Sequence, residues 1–288
     1  MNHFQIDLFN NNPDKIVNAL VMALCKHKET EAKQLMQLFQ KNHPSHSQLF
    51  DFQNLLDAQK RLYLPIKDIQ HEANEMRYLS LLATKLLGKS AQKYLILFWQ
   101  HLAQSLQGQR FDPLEPELHC SFMCSEAMDW KGAQIAIKNE PQWHEHSILV
   151  IRLGKALYFL GELDTALEVW FHLFWQFPSE AVTAISSPTN PYLALRKRWQ
   201  VFDNLEEEIK VTAFPAWMLL TGFKHRCYST AKSLPPTNIH AKNYYAIRNT
   251  LLLKQKEIKN PQAELGLRIA LKNTDENLLK WYLDKLQV

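Results

Sequence analysis

Glycine is scarce, with 7 in 288 residues. Tight turns and phosphate-binding loops depend on it, so an α/β nucleotide enzyme is a poor fit. No Gly-rich phosphate loop, nucleophile elbow or zinc-protease helix motif occurs in the sequence. Long apolar runs are missing as well. The best of them, Tyr94 to Trp99, falls far short of the roughly 20 residues a membrane helix needs. Met1 to Asn12 lacks a basic stretch followed by an apolar run, so no secretory signal is expected and the protein reads as cytosolic. The four cysteines, Cys25, Cys120, Cys124 and Cys227, form no framework, which suits reduced thiols. Charge of one sign is also lacking. The 33 basic and 29 acidic residues leave a formal charge of +4, too small an excess to argue for nucleic acid.

What is present is a folded, helix-prone composition. Apolar residues make up 46% and charged residues 22%, close to the average for globular proteins, so extensive disorder is not expected. The densest basic cluster, Arg196-Lys197-Arg198 beside Trp199, is followed by Glu206-Glu207-Glu208, which cancels part of its field and makes a solvated helix face the expectation.

Residues 147–180 carry the clearest pattern. Val150, Leu153-Gly154 and Leu157 place an apolar stripe on one helix face, and Gly161 ends that helix. Gly154 and Ala166 are small where paired helices must come close, with Trp170 and Leu173 filling the space beside them. Pro178 then closes the second helix, because proline lacks the donor that would extend it. The segment is 34 residues long (Ser147 to Glu180). In that length and in these positions it resembles the tetratricopeptide (TPR) repeat, with Val150, Leu157 and Trp170 as apolar substitutes at the aromatic positions. The resemblance implies an all-α fold, a right-handed superhelix of antiparallel helix pairs.

One helical hairpin cannot bury its own apolar face, so neighbouring copies are required. Residues 13–46 hold Ala23, Ala32, Met36, Phe39 and Pro44, the last four at the spacings of Ala166, Trp170, Leu173 and Pro178. Residues 72–107 hold Tyr78, Leu79 and Leu82, a break at Gly88, then Ala91, Leu95 and Phe98. Residues 114–146 place Asp129 to Ala133 where Glu162 to Ala166 stand in the clear copy, and Pro141 cuts the second helix short. After Pro178 the register is lost at Pro188, Pro191, Pro215 and Pro235-Pro236. The expected organisation is therefore TPR-like repeats over 1–187 and an irregular helical region over 188–288 that continues or caps them. Helices are expected there over 216–230, 239–258, 261–271 and 275–286, the last capped by Thr274.

Chemistry is thin. Cys120 and Cys124 share a helix face, with His119 adjacent and His144 and His146 as a conceivable second pair for zinc. They stand where Leu153 and Leu157 stand in the next copy, so small buried packing residues are the preferred reading, with no metal and no cofactor. His172, between Phe171 and Leu173, reads as packing rather than as a general base. Glu206 to Glu208 read as exposed, since adjacent glutamates on a helix diverge. Trp170, Phe171, Phe174, Trp175 and Phe177 crowd one helix so fully that it must pack on both sides.

The resemblance places a binding surface on the first helices of the pairs. Off the packing stripe these offer Ile148, Ile151, Lys155, Tyr158 and Phe159 in the clear copy and Phe122, Ser125 and Glu126 in the one before. Such a groove suits an extended or helical peptide, so the expected role is a non-catalytic scaffold or adaptor with a protein partner and no membrane insertion. An all-helical enzyme or ligand sensor is the alternative, with its site in 188–240, where His225, Arg226, Cys227 and Tyr228 cluster. A nucleic-acid reading would rest on Arg196 to Arg198, Lys224, Arg226 and Lys232 and is disfavoured.

Overall fold

The structure, a computed structural model, describes residues 12–221, 239–255 and 261–286. Among the described residues every regular element is helical. The chain divides into two compact units, Met1–Ala136 and Ile137–Val288. The expected end of the repeats at 187/188 falls inside the second.

In the first unit α1 (Pro13–Cys25), α2 (Glu29–Asn42), α3 (Leu49–Arg61), α4 (Ile69–Leu87), α5 (Ala91–Ser105) and α6 (Cys120–Glu126) pack in sequence, and α1 also meets α5. Starts are set by side chains that satisfy the free amides of a first turn. Asn12 Oδ1 accepts from Asp14 N, with Pro13 at the first helical position, and Asp68 Oδ1 accepts from His71 N, both at 2.9 Å. The core holds Phe39 against Phe52 and Tyr94 against Phe98, and the Tyr94 hydroxyl donates to the Leu55 carbonyl at 2.6 Å. Helix α7 (Trp130–Lys138) begins where Asp129 Oδ1 accepts from Gly132 N at 2.9 Å.

The second unit contains α8 (Ser147–Phe159), α9 (Leu163–Gln176), α10 (Pro178–Ser186), α11 (Leu193–Asp203), α12 (Phe214–Leu220), α13 (Ile239–Gln255), α14 (Pro261–Thr274) and α15 (Glu276–Leu286). Every residue from Ala166 to Trp175 is buried, because α9 packs against α8, α10, α12 and α13. Two-sided packing was the expectation for so aromatic a helix. Phe174 lies 4.7 Å from Phe214 and 5.3 Å from Trp199, while Phe171 and Trp175 both close on Tyr244, at 5.3 and 5.2 Å.

Three helix pairs share one turn. At Gly161 φ is +77°, the amide of Gly161 donates to Tyr158 O at 3.0 Å, and that of Glu162 donates to Leu157 O at 2.9 Å. His27 between α1 and α2 has φ +52°, with bonds His27 N to Leu24 O and Lys28 N to Ala23 O, both 3.0 Å. Met128 between α6 and α7 has φ +58°, with Met128 N to Ser125 O at 3.0 Å and Asp129 N to Cys124 O at 2.8 Å. This is the Schellman ending, in which a left-handed residue lets two amides close the last turn. Ala32, Ala133 and Ala166 follow each left-handed residue at the same distance in sequence and are wholly buried. The copies read in the sequence at 13–46, 114–146 and 147–180 thus turn alike. The pair α4 and α5 differs, breaking at Gly88 through a short 3-10 turn. There Tyr78 is exposed while Leu79 and Leu82 are buried.

After Pro178 the helices are short: Pro178 opens α10, Pro188 and Pro191 lie in the loop after it, and α10 packs on α11. Two expectations need correction. Helix α15 is capped by Asp275, not Thr274. Asp275 Oδ1 accepts from Asn277 N at 2.8 Å, while the Thr274 hydroxyl donates back to Ala270 O at 2.8 Å. Arg196 is only partly a solvated face residue, since its guanidinium donates to the carbonyls of Ser187 and Pro188, each at 3.4 Å. Lys197 and Glu206 to Glu208 are exposed. Of the helix expected over 216–230, α12 covers the described part, and residues 222–230 lie outside it; the helix expected to 258 is described to Gln255.

Candidate functional site

Helix α8 ends in a glycine turn and pairs with α9, and α10 follows after Phe177. Between α8 and α10 runs an open groove of about 440 Å³. Ile148, Ile151 and Lys155 line it from α8, at spacings of three and four that put them on one helix face. From α10 come Glu180, Thr183 and Ala184, and Ser147, Ser179 and Ser187 complete the wall. The lining joins aliphatic Ile148, Ile151 and Ala184 to the hydroxyls of Ser147, Ser179, Thr183 and Ser187, and Glu180 and Lys155 supply opposite charges. The volume is within the range of small-ligand and side-chain pockets.

Phe122, Ser125, Glu126, Tyr158 and Phe159 are not among the residues that line the groove. Tyr158 continues the α8 stripe but is half-buried, packed on Tyr192 with ring centres 5.1 Å apart and edge-on to Phe159 at 5.5 Å. Phe159 is 49% exposed. Phe122, Ser125 and Glu126 belong to the first unit on α6. Phe122 packs edge-on to Trp99 at 6.1 Å, the Ser125 hydroxyl donates to Ser121 O at 2.7 Å, and the Glu126 carbonyl accepts from the Gln92 amide. The groove is therefore built from second-unit residues alone.

His172 is buried, and its Nε2–H donates to the His144 carbonyl at 2.9 Å. Burial pushes its pKa down, with His144 adding in the same direction and the carbonyl opposing. The ring thus combines burial with one hydrogen bond to the backbone. Cys120 and Cys124 come together with their sulfurs 3.7 Å apart. Among the described residues no group of three or more His, Cys, Asp or Glu converges as a metal site. No described helix is long and apolar enough to cross a membrane. His225, Arg226, Cys227 and Tyr228, with Lys224 and Lys232, lie outside the described residues.

Two features escaped the sequence reading. Apart from Glu180 the α10 wall consists of Ser, Thr and Ala, which leave no periodic signal. Glu168 is buried in α9 beside Arg248, with 3.9 Å between guanidinium and carboxylate, and desolvation raises its pKa against the pull of Arg248. A charged residue inside an aromatic helix is visible in the sequence; its partner 80 positions away is not.

The chain matches no protein-family model, and comparison with curated proteins and with solved structures finds no match.

Proposed function

We propose that the helix pairs stack in the manner of TPR arrays and that the protein is a non-catalytic scaffold, holding a segment of a protein partner in the groove between α8 and α10. The observation that carries this reading is the groove itself. It lies on first helices, where the resemblance puts a peptide surface, and it takes in Ile148, Ile151 and Lys155. The common turn at His27, Met128 and Gly161 supports the repeat reading, since one supersecondary unit recurs with the same hydrogen bonds.

The groove's chemistry defines its occupant. Aliphatic side chains of the ligand lie against Ile148, Ile151 and Ala184, the hydroxyls of Ser179, Thr183 and Ser187 meet its polar main chain, and an acidic group is drawn to Lys155 while Glu180 repels one at the other side. The test is selection from a displayed random-peptide library with the full chain. Enriched peptides should combine aliphatic and acidic residues, and should lose binding to an Ile151→Glu variant whose helicity is unchanged. No enrichment, or equal binding to that variant, overturns the reading.

A further inference from the structure

We propose that Cys120 and Cys124 form a two-sulfur chelating site for trivalent organoarsenic compounds. The site shares no residue with the groove, does not rest on the scaffold reading, and lies wholly in the first unit.

Residues four apart share a helix face, and on α6 this brings the two sulfurs to 3.7 Å with a hydrogen bond between them. One atom bonded to both sulfurs at about 2.3 Å, the length of a zinc–thiolate bond, spans that gap without moving either helix end. Cys124 is buried and faces α7 at Gly132, where an added Cβ would stand 3.0 Å from its sulfur. Cys120 is only half-buried and gives a ligand its way in; its sulfur also lies 3.4 Å from the Ala103 carbonyl. The hydrogen bond between the thiols lowers the Cys120 pKa, against burial and the Asp129 carboxylate, and raises that of Cys124, so Cys120 is the readier nucleophile of the two.

Two other fates for the pair fit less well. A disulfide wants Cβ atoms about 3.5–4.5 Å apart, whereas residues four apart on a helix hold theirs at about 5–6 Å. Zinc takes four ligands, and among the described residues no third His, Cys, Asp or Glu joins these two. Trivalent arsenic bearing one organic group needs only two sulfurs to complete its three bonds. In the reaction two As–S bonds form and two As–OH bonds break, and the two thiol protons leave with the hydroxides as two molecules of water. Nothing is oxidised or reduced.

The experiment titrates the full-length protein with phenylarsonous acid and maps alkylation of the remaining thiols by peptide mass analysis. One equivalent should protect Cys120 and Cys124 and leave Cys25 and Cys227 reactive. A small dithiol should reverse it where glutathione at equal thiol concentration does not. Cys120→Ser and Cys124→Ser should each weaken binding about a hundredfold, since a linked second donor is lost. Protection of Cys25 or Cys227 instead, no protection at one equivalent, or undiminished binding by either variant overturns the proposal. If a serine variant fails to fold by circular dichroism, the protection pattern of the wild-type chain still decides.

Discussion

A Cβ built on Gly154 would stand 2.9 Å from Nε1 of Trp170, so one glycine on α8 and one tryptophan on α9 occupy a single packing space. Alanine in place of glycine would gain up to about 1 kcal/mol of helix propensity. Overpacking a rigid, buried indole costs about 1–3 kcal/mol. Gly154→Ala is therefore expected to lower the urea midpoint, with a net loss of about 1 kcal/mol, and a raised midpoint would refute this packing.

The shared turn makes an opposite pair of predictions. Met128 is exposed and left-handed at φ +58°, while Gly161 is left-handed at +77° with open space around it. Side chains at positive φ are strained and glycine is not. Met128→Gly should stabilise the chain by about 0.5–1 kcal/mol and Gly161→Ala should destabilise it by a similar amount, both read from equilibrium unfolding. Two changes of the same sign would show that the turns are not equivalent.

Asp275 does more than begin a helix. Its Oδ1 accepts from the amides of Asn277 and Leu278, at 2.8 and 3.4 Å, and its Oδ2 accepts from Lys210 N at 3.0 Å, tying the segment before α12 to α15. Asp275→Ala should cost about 2 kcal/mol, the upper end for a cap, and Asp275→Asn should recover part of it. Thermal unfolding of the two variants side by side checks the order.

These cases also show what the sequence could reveal. The alanines and the helix ends at Gly161 and Pro178 were readable because close helix packing and proline's missing donor leave fixed marks at fixed spacing. The α10–α11 pair was not, because Pro188 and Pro191 mark only where the 34-residue register is lost, and the short helices on either side of their loop follow no repeat spacing. Thr274 and Asp275 are both good caps, and only the backbone path decides which of them reaches the free amides. On the groove, Ile148, Ile151 and Lys155 follow from helical period. Tyr158 lies on the same stripe but meets Tyr192, a contact no spacing rule predicts.

Stability should depend on acidity through buried imidazoles. The pKa of His172 is lowered chiefly by burial, and the same cause lowers His27 and His240. A depressed folded value means that the unfolded chain binds protons first. Stability is then full above the ordinary imidazole value of about 6.5 and is lost as pH falls below it toward the folded values. The urea midpoint should drop between pH 7.5 and 5.5. His172→Gln, which retains a donor for the His144 carbonyl, should flatten that drop; an unchanged slope would remove His172 from the account.

Amide chemical-shift mapping with a library-selected peptide shows whether the groove between α8 and α10 receives a peptide. Shifts should concentrate at Ile148, Ile151, Lys155, Thr183 and Ala184, which line the groove, and should be absent in Ile151→Glu. Shifts centred on any other surface, or surviving that substitution, would contradict peptide binding there.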